Sequence, residues 1–347
     1  MKIVVYSPAF HPKIGGLEEV AKLCSLEFQS AGHEVTVLTE TALGDCTELP
    51  LRVIRQFTFC EAFALTRSCD VFVEFNISLK GMIFPLLLRK PVVISHQSWF
   101  SDIRRPPTWR ARLKHLATKF ATNIACSHAV KDYVGGNAVV IPNAYDEHTF
   151  RVQPDVVRDQ DLLFVGRLVS DKGCALLLDA IGMLKREGLS PTLTIVGSGP
   201  EQDSLAYQTA QLGLDAQIRF TGPLRGDALA REINRHRFLV VPSLWAEPFG
   251  IVALEGIACG CRVIGSEDGG LKDAVGPCGV TFPNGDSDAL ARVLKSMMTA
   301  SPLASRISAE HLALHTSKAV GAAYLNVIEK VRAGLGGSFS GNSAIGS

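Results

Sequence analysis

Short apolar runs alternate with longer helical patterns along almost the whole chain. "KIVVYS" opens the series. "LEEVAKLCSLEFQSAG" follows, with Leu17, Val20, Ala21, Cys24, Phe28 and Ala31 on one helical face. Gly32 stops that helix, and "HEVTVLTE" begins the next strand. "LRVIRQF", "DVFVEFN", "PVVISH", "NIACS" and "AVVIPN" continue the rhythm. These runs are apolar on both faces more often than they alternate, as strands buried between two helix layers are. The pattern is that of an α/β fold with parallel sheets.

The rhythm breaks once. "YDEHTFRVQPDVVRDQ", about residues 145–160, is polar, carries Pro154 and has no period, so it reads as a linker. Alternation then resumes with "DLLFVGR", "CALLLDAIGMLKREG", "LTIVGSG", "PEQDSLAYQTAQLG", "IRFTG", "ALAREINRH", "FLVVPS", "FGIVALEGIACG" and "CRVIGS". A chain of 347 residues suits two domains of this kind. The expected division is 1–150 and 155–316, with a C-terminal helix at about 317–333 and a Gly/Ser-rich flexible tail at 334–347. Right-handed crossovers are expected in both blocks. Ligands of such sheets bind beyond the carboxyl ends of the strands, so two facing sheets would share an interdomain cleft.

Composition narrows the class. The chain is 47% hydrophobic and 20% charged, with net charge +1, which suits a globular protein and gives no global signature of polyanion binding. Nine cysteines, several inside apolar runs (Cys24, Cys126, Cys174), read as reduced thiols rather than a disulfide framework. Cys259 and Cys261 lack zinc-finger spacing. Reduced cysteines, with no signal-peptide pattern and no long apolar span, lead to the expectation of a cytoplasmic protein.

Four strand-to-helix junctions carry candidate chemistry. In "SPAFHPKIGGLEEV", Gly15 and Gly16 precede a helix whose first amides are free to meet a ligand; a plain connecting turn reads equally well. In "FVGRLVSDKG", Arg167 and Lys172 lie on one loop and suit phosphate oxygens, though solvated charges are the commoner outcome. "LTIVGSGPE" places Gly197 and Gly199 at a strand end but lacks the third glycine of a dinucleotide fingerprint. In "PSLWAEPFGIVALEGIACG", Pro248 is placed to open a helix, and the amides of Phe249, Gly250 and Ile251 suit a diphosphate or sugar hydroxyls. Glu247 precedes that helix and Glu255 lies within it. Helix-terminus charge compensation, a buried salt bridge and a glycosidase acid–base pair are all open for these two carboxylates.

Together, in this order, the junctions are similar to those of the retaining glycosyltransferases of family 4, which have the GT-B fold: two Rossmann-like β/α/β domains whose parallel sheets face an interdomain cleft. The matching stretches include "HPKIGGLEEVAKLCSLEFQSAGHEVTVLT", "VISH", "IPNAYD", "FVGRLVSDKG", "LTIVGSGPE", "IRFTGPL" and "PSLWAEPFGIVALEGIACGCRVIGSEDGGLKDAV". The last is the most specific. The resemblance implies that Arg167 and Lys172 neutralise the diphosphate of a nucleotide-sugar donor. It implies that Glu247 contacts the donor sugar and Glu255 the ribose. It gives Phe249, Gly250 and Ile251 amide contacts to sugar and phosphate, and puts Gly197 and Leu224 near phosphate and base. In the N-terminal domain it assigns Gly15 and Gly16 to the phosphates, His96 to the reacting face and Asn143 to an interdomain loop. Ala144 stands where the family often has glycine, which puts a positive-φ backbone contact there in doubt.

The implied reaction retains anomeric configuration, with the departing phosphate taking the acceptor proton. No metal or other cofactor is implied. UDP-sugars are the favoured donors and GDP-mannose the second; the acceptor is a glycan, glycolipid or small hydroxyl compound of polysaccharide or glycoconjugate synthesis. The competing readings are a nucleotide-sugar epimerase, for which Glu74 is the one strand-end carboxylate, and an inactive nucleotide-sugar binding protein. No nucleic-acid partner is expected. On the acceptor side, "SWFSDIRRPPTWRARLKHLATKF" has six Lys/Arg and no acid between Arg104 and Lys119. Trp109, Leu113, Leu116 and Phe120 form one helical stripe, expected to pack on the core. The basic face of 99–119, with Arg104, Arg105 and Arg110, is a candidate for peripheral contact with an anionic membrane.

Overall fold

In a computed structural model, which describes residues 1–13, 15–44, 46, 48–101, 106–299 and 305–334, the chain forms two compact units. The first is Met1–Tyr145 with the C-terminal segment from Leu314; the second is Asp146–Ala313. Arg104, Arg105 and nearly all of the Gly/Ser-rich tail fall outside the described residues.

The first unit runs β1 (Lys2–Tyr6), α1 (Gly16–Ser30), β2 (Glu34–Thr39), β3 (Arg52–Arg55), α2 (Phe59–Ser68), β4 (Val71–Phe75), α3 (Leu79–Leu87), β5 (Val92–His96), α4 (Trp109–Thr118), β6 (Thr122–Ala125), α5 (His128–Val134) and β7 (Val139–Val140). Its parallel sheet has the order β3-β2-β1-β4-β5-β6-β7. Both faces of β4 are buried. Phe72 packs with Ala62 of α2 and Phe84 of α3. Phe75, on the opposite face, stacks on Tyr324 with ring centroids 5.9 Å apart.

The second unit runs β8 (Gln160–Val165), α6 (Cys174–Arg186), β9 (Leu193–Val196), α7 (Gln202–Gln211), β10 (Ile218–Gly222), α8 (Gly226–Asn234), β11 (His236–Val241), α9 (Ile251–Ala258), β12 (Arg262–Ser266), α10 (Leu271–Val275), β13 (Gly279–Phe282), α11 (Ser287–Thr299) and α12 (Ser305–Ala313). Its parallel sheet has the order β10-β9-β8-β11-β12-β13. Leu162, Phe164, Ile195, Val240 and Ile264 of the strands share a core cluster with Leu177, Ile181, Leu290 and Leu294 of α6 and α11.

The last described helix, α13 (Ser317–Arg332), packs on α1 within the first unit. Tyr324 Oη lies 2.6 Å from Ser95 Oγ, and Ser317 Oγ donates to Glu27 Oε1 at 3.0 Å.

Several local expectations change. Ala31 caps α1 and is exposed, so the buried stripe ends at Phe28 and gains Leu23 and Ser25. The aperiodic segment from Asp146 is tied to the second unit rather than hanging free. Asn234 binds both the Gln153 amide and the Arg151 carbonyl, and Arg158 donates to the carbonyls of Cys259 and His236. Cys24, Cys126, Cys174, Cys259 and Cys261 are buried and outside any disulfide; burial pushes the Cys174 thiol up to about 12. The Trp109–Phe120 stripe does not pack on the core: its four large side chains are exposed, and small residues take the sheet-facing positions instead.

Candidate active site

In the second unit the strand order reverses between β8 and β11. Chain segments leaving the carboxyl ends of those two strands diverge to opposite sides, which opens a crevice there. The loop after β8 carries Arg167 and Lys172, and the loop after β11 carries Glu247. The two loops are bonded to each other: the Leu244 amide donates to the Asp171 carbonyl at 2.8 Å. Gly173, with φ 67° and ψ 24°, turns the first loop into α6. A Cβ there would lie 3.0 Å from the Pro242 carbonyl carbon and nearer still to its oxygen. Only glycine lets the loops close this far.

That approach joins charges 75 positions apart. Lys172 Nζ lies 2.6 Å from Glu247 Oε1, and Ser243 Oγ donates to the same oxygen at 2.7 Å. The Glu247 carboxylate is largely buried, at 9% exposure, and the Lys172 and Ser243 contacts satisfy its Oε1 there. Lys172 also sits 5.8 Å from the centroid of the Trp245 ring. Asn284 braces the loop from behind: its Nδ2 donates to the Ser243 carbonyl at 2.9 Å, and its Oδ1 accepts from the Asp268 amide at 2.9 Å. Glu247 itself bridges to Gly269, and its carbonyl accepts from the Gly270 amide at 2.7 Å. Two more buried polar atoms here, Asp171 Oδ1 and Trp245 Nε1, have no hydrogen-bond partner among the described residues. Buried polar groups are nearly always satisfied, so such atoms at a strand-end crevice are available to a ligand.

Arg167 is exposed and makes no ion pair among the described residues. Gly197 follows β9 directly with φ 148°, and a Cβ on it would collide with the Gly166 carbonyl. The glycines of "VGSG" therefore seat the β8 loop against the β9 loop, through Gly166 N to Val196 O at 3.0 Å and Leu168 N to Ser198 O at 2.9 Å. Leu224 is half-buried just beyond β10, whose Gly222 carbonyl accepts from the Gly197 amide.

Pro248 does not open the helix. α9 begins at Ile251, with Gly250 as its N-cap at φ 98°. Phe249 is a core side chain, 2% exposed, which anchors the turn. Glu255 consequently lies one turn into α9 rather than two, and is half-buried rather than enclosed. The structure thus brings Lys172 and Glu247 into contact and sets Arg167, Gly197, Leu224, Gly250, Ile251 and Glu255 on the carboxyl-end side of the same sheet. Ser243, Trp245, Asp171 and Asn284 are not singled out by the sequence. Ser243 alone carries a usable signal, a hydroxyl at a strand end four residues before a carboxylate.

The first unit also has a reversal, between β1 and β4. Gly15 is the N-cap of α1, with an extended φ of 170°, and Gly16 is the first helical residue. His96 ends β5 and is fully buried. Its Nε2 is 2.8 Å from Asn123 Oδ1. Asn123 Nδ2 donates to the carbonyls of Thr118 and Ala121, so Oδ1 faces the imidazole and Nε2 carries the proton. Nδ1 is then a bare acceptor, buried and without a partner among the described residues. Burial holds the His96 pKa down to about 4, so the ring is neutral.

Asn143 is buried, and its carbonyl lies 3.0 Å from His315 Nδ1. Ala144 is buried and keeps an ordinary negative φ, so the departure from glycine brings no strain. Glu74 is fully enclosed. Its Oε1 accepts from the Ser78 amide at 2.8 Å, and burial drives its pKa well above the carboxylate range. Its Oε1 is tied to the start of α3, while Oε2 is buried without a hydrogen-bond partner among the described residues.

Comparison with known proteins agrees with the geometry. The family model described as Glycosyl transferases group 1 matches residues 146–311, nearly the whole second unit. The second unit is a group 1 glycosyltransferase domain. Over 140 residues it is 38% identical to a glycogen synthase of Mycobacterium tuberculosis, covering 40% of this chain and 34% of that protein. Over 202 residues it is 32% identical to a D-inositol 3-phosphate glycosyltransferase of Mycobacterium avium, covering 53% and 46%. The chain therefore spans between a third and a half of the length of these curated relatives.

Its fold is GT-B. Anabaena HepE, solved in complex with UDP and glucose, superposes with a TM-score of 0.79 at 21% identity, covering 95% of this chain and 100% of that one. The lipopolysaccharide outer core galactosyltransferase WaaB, in its apo form, gives 0.74 at 17% identity, covering 95% and 99%. Among the described residues no helix is long and apolar enough to cross a membrane.

Proposed function

We propose that the chain transfers a sugar from a nucleotide-sugar donor to a hydroxyl acceptor with retention of anomeric configuration. The observation that carries the reading is the Lys172–Glu247–Ser243 cluster across the β8/β11 reversal. Glu247 Oε1 is occupied by Lys172 and Ser243, which leaves Oε2 for a hydroxyl of the donor sugar. Lys172 has two further N–H groups for a diphosphate oxygen, and exposed Arg167 adds a second, planar cation. Charge grows on the diphosphate as the glycosidic bond breaks, so fixed cations there lower the barrier. The amides at the start of α9, at Phe249, Gly250 and Ile251, suit the same anion, and Glu255 suits paired ribose hydroxyls. Gly197 and Leu224 border phosphate and base. In the first unit, His96 Nδ1 suits a hydrogen bond from a donor hydroxyl, and Gly15 and Gly16 present the first amides of α1. Asn143 keeps its buried loop place.

A UDP-sugar is the favoured donor, with GDP-mannose second. Structures of Anabaena HepE with UDP and with UDP-glucose support that order. The acceptor class is a glycan, glycolipid or small hydroxyl compound, and the place of action is the cytoplasm or the cytoplasmic membrane face. Arg167, Lys172 and the α9 amides take the charge-neutralising role that a divalent cation fills elsewhere.

The test is a thermal-shift panel of UDP, GDP and their sugar conjugates. One nucleoside diphosphate should raise the melting temperature, by mass action worth about 2.7 kcal/mol at a hundredfold excess over Kd. No shift with any nucleotide would sink the reading. The anomeric configuration of the product, read by NMR, tests retention separately.

A further inference from the structure

Helix α4 is turned inside out relative to an ordinary surface helix, and α3 beside it is apolar on both its buried and its outward faces. On α4 the positions facing the sheet are Ala111, Ala117 and Thr118. Its large apolar side chains, Trp109, Leu113 and Leu116, point outward, and Phe120 follows them just past the helix end. On α3 the buried side chains include Met82, Phe84 and Pro85, while Ile83, Leu86 and Leu87 form an outward stripe. All seven outward residues are between 40% and 65% exposed. The stripes leave the same side of the sheet, because Met82 and Ala117 share one buried cluster with Val92 and Ile94 of β5. The helices also pack on each other. Monomeric proteins rarely leave so contiguous an apolar face in water.

The charge around this face is one-sided. Residues 77–120 hold nine of the chain's 35 Lys and Arg but only one of its 34 Asp and Glu. Arg110, Arg112 and Lys119 are exposed on or beside α4, and Arg89 is exposed just after α3. Arg110 lies over the Trp109 ring, 5.3 Å from its centroid. Large apolar side chains ringed by cations, with a tryptophan at the border, suit the interface of an anionic bilayer. There the apolar stems enter the acyl boundary and the cations reach lipid phosphates. A second copy fits badly, since a two-fold contact would set this basic face against itself.

We infer that the outer face of α3 and α4 docks on an anionic lipid surface. Trp109, Leu113, Leu116 and Phe120 enter the headgroup region, and Arg110, Arg112 and Lys119 pair with lipid phosphates. The inference goes beyond the sugar-transfer reading and does not depend on it. The experiment is flotation of the full chain with vesicles of phosphatidylglycerol and phosphatidylcholine, compared with phosphatidylcholine alone. The chain should float with the anionic vesicles only, and added salt should release it. The triple variant Leu113→Ser, Leu116→Ser, Phe120→Ser should lose binding by about tenfold or more. Arg110→Glu with Arg112→Glu should do the same, and both variants should keep the wild-type circular dichroism. Variants that bind like wild type, or equal flotation on both vesicle types, would overturn the inference. So would a wild-type dimer in light scattering that the triple variant dissociates, because the face would then belong to a second copy.

Discussion

Replacing Gly173 with alanine tests whether the β8 and β11 loops must close for the site to exist. Two costs add. Gly173 is left-handed, at φ 67°, which costs an alanine about 1–2 kcal/mol. The new Cβ would also press on the Pro242 carbonyl, a backbone group that cannot swing aside, and overpacking of that kind costs about 1–3 kcal/mol. The sum is about 2–5 kcal/mol. Gly188 supplies the control: its φ is 83°, and no atom lies within 4 Å of where a Cβ would stand. Gly188→Ala should therefore show the conformational cost alone, about 1–2 kcal/mol. Urea unfolding followed by circular dichroism reads both, and the difference isolates the loop contact. The nucleotide response adds a second readout, because displacing Pro242 moves the loop that carries Ser243 and Glu247. Gly173→Ala should lose the nucleoside diphosphate thermal shift, and Gly188→Ala should keep it. Equal destabilisation by the two, or an intact nucleotide shift in Gly173→Ala, would refute the argument.

Three further outcomes are expected. Lys172→Ala should lower kcat by about 10²–10³, the usual cost of removing one preorganised stabiliser of transition-state charge, and unchanged turnover would remove Lys172 from the site. Ser243→Ala should leave the fold intact and raise the donor KM by about threefold to tenfold, since Glu247 Oε1 loses one of its two partners, a hydrogen bond worth about 1 kcal/mol; threonine should restore it. The neutral His96 makes a pH signature. Its folded pKa of about 4 lies below the ordinary 6.5, so the unfolded chain binds the extra proton in that window. Stability from this group is complete above pH 6.5 and is lost as pH falls toward 4, by about 3 kcal/mol in total. Glu74 acts oppositely, because its raised pKa favours the folded state at low pH and that gain fades as pH rises. The difference between wild type and His96→Gln in urea titrations across pH 4–7 isolates the histidine; a flat difference would show that its burial is not felt.

Much of the fold is legible because parallel strands buried on both faces leave continuous apolar runs. β1, β4 and β5, buried along nearly all their length, stand out as "KIVVY", "VFVEF" and "VVISH". β13 escapes notice because "GVTF" is four residues long and only Phe282 is fully buried. α3 escapes it because Pro85 lies inside the helix and the sequence is apolar on every side, so no stripe separates core from surface. The candidate site is legible as residue types at strand-to-helix junctions. Its pairing is not, because Lys172 and Glu247 meet only through the strand order, and nothing local to either states that β8 and β11 are neighbours.

The α4 stripe shows the limit of periodicity most sharply. Spacings of four, three and four place Trp109, Leu113, Leu116 and Phe120 on one face of a helix whichever way that face turns. Burial of large apolar groups is the default, and it points the stripe at the core. The opposite face decides the matter. Ala111, Ala117 and Thr118 are its buried positions, and Ala117 joins Val92 and Ile94 of β5 in one cluster. In α4 the small face is the buried one, and the large one is left for a partner. The cations around it, and the acids kept away from it, then say what kind of partner that is.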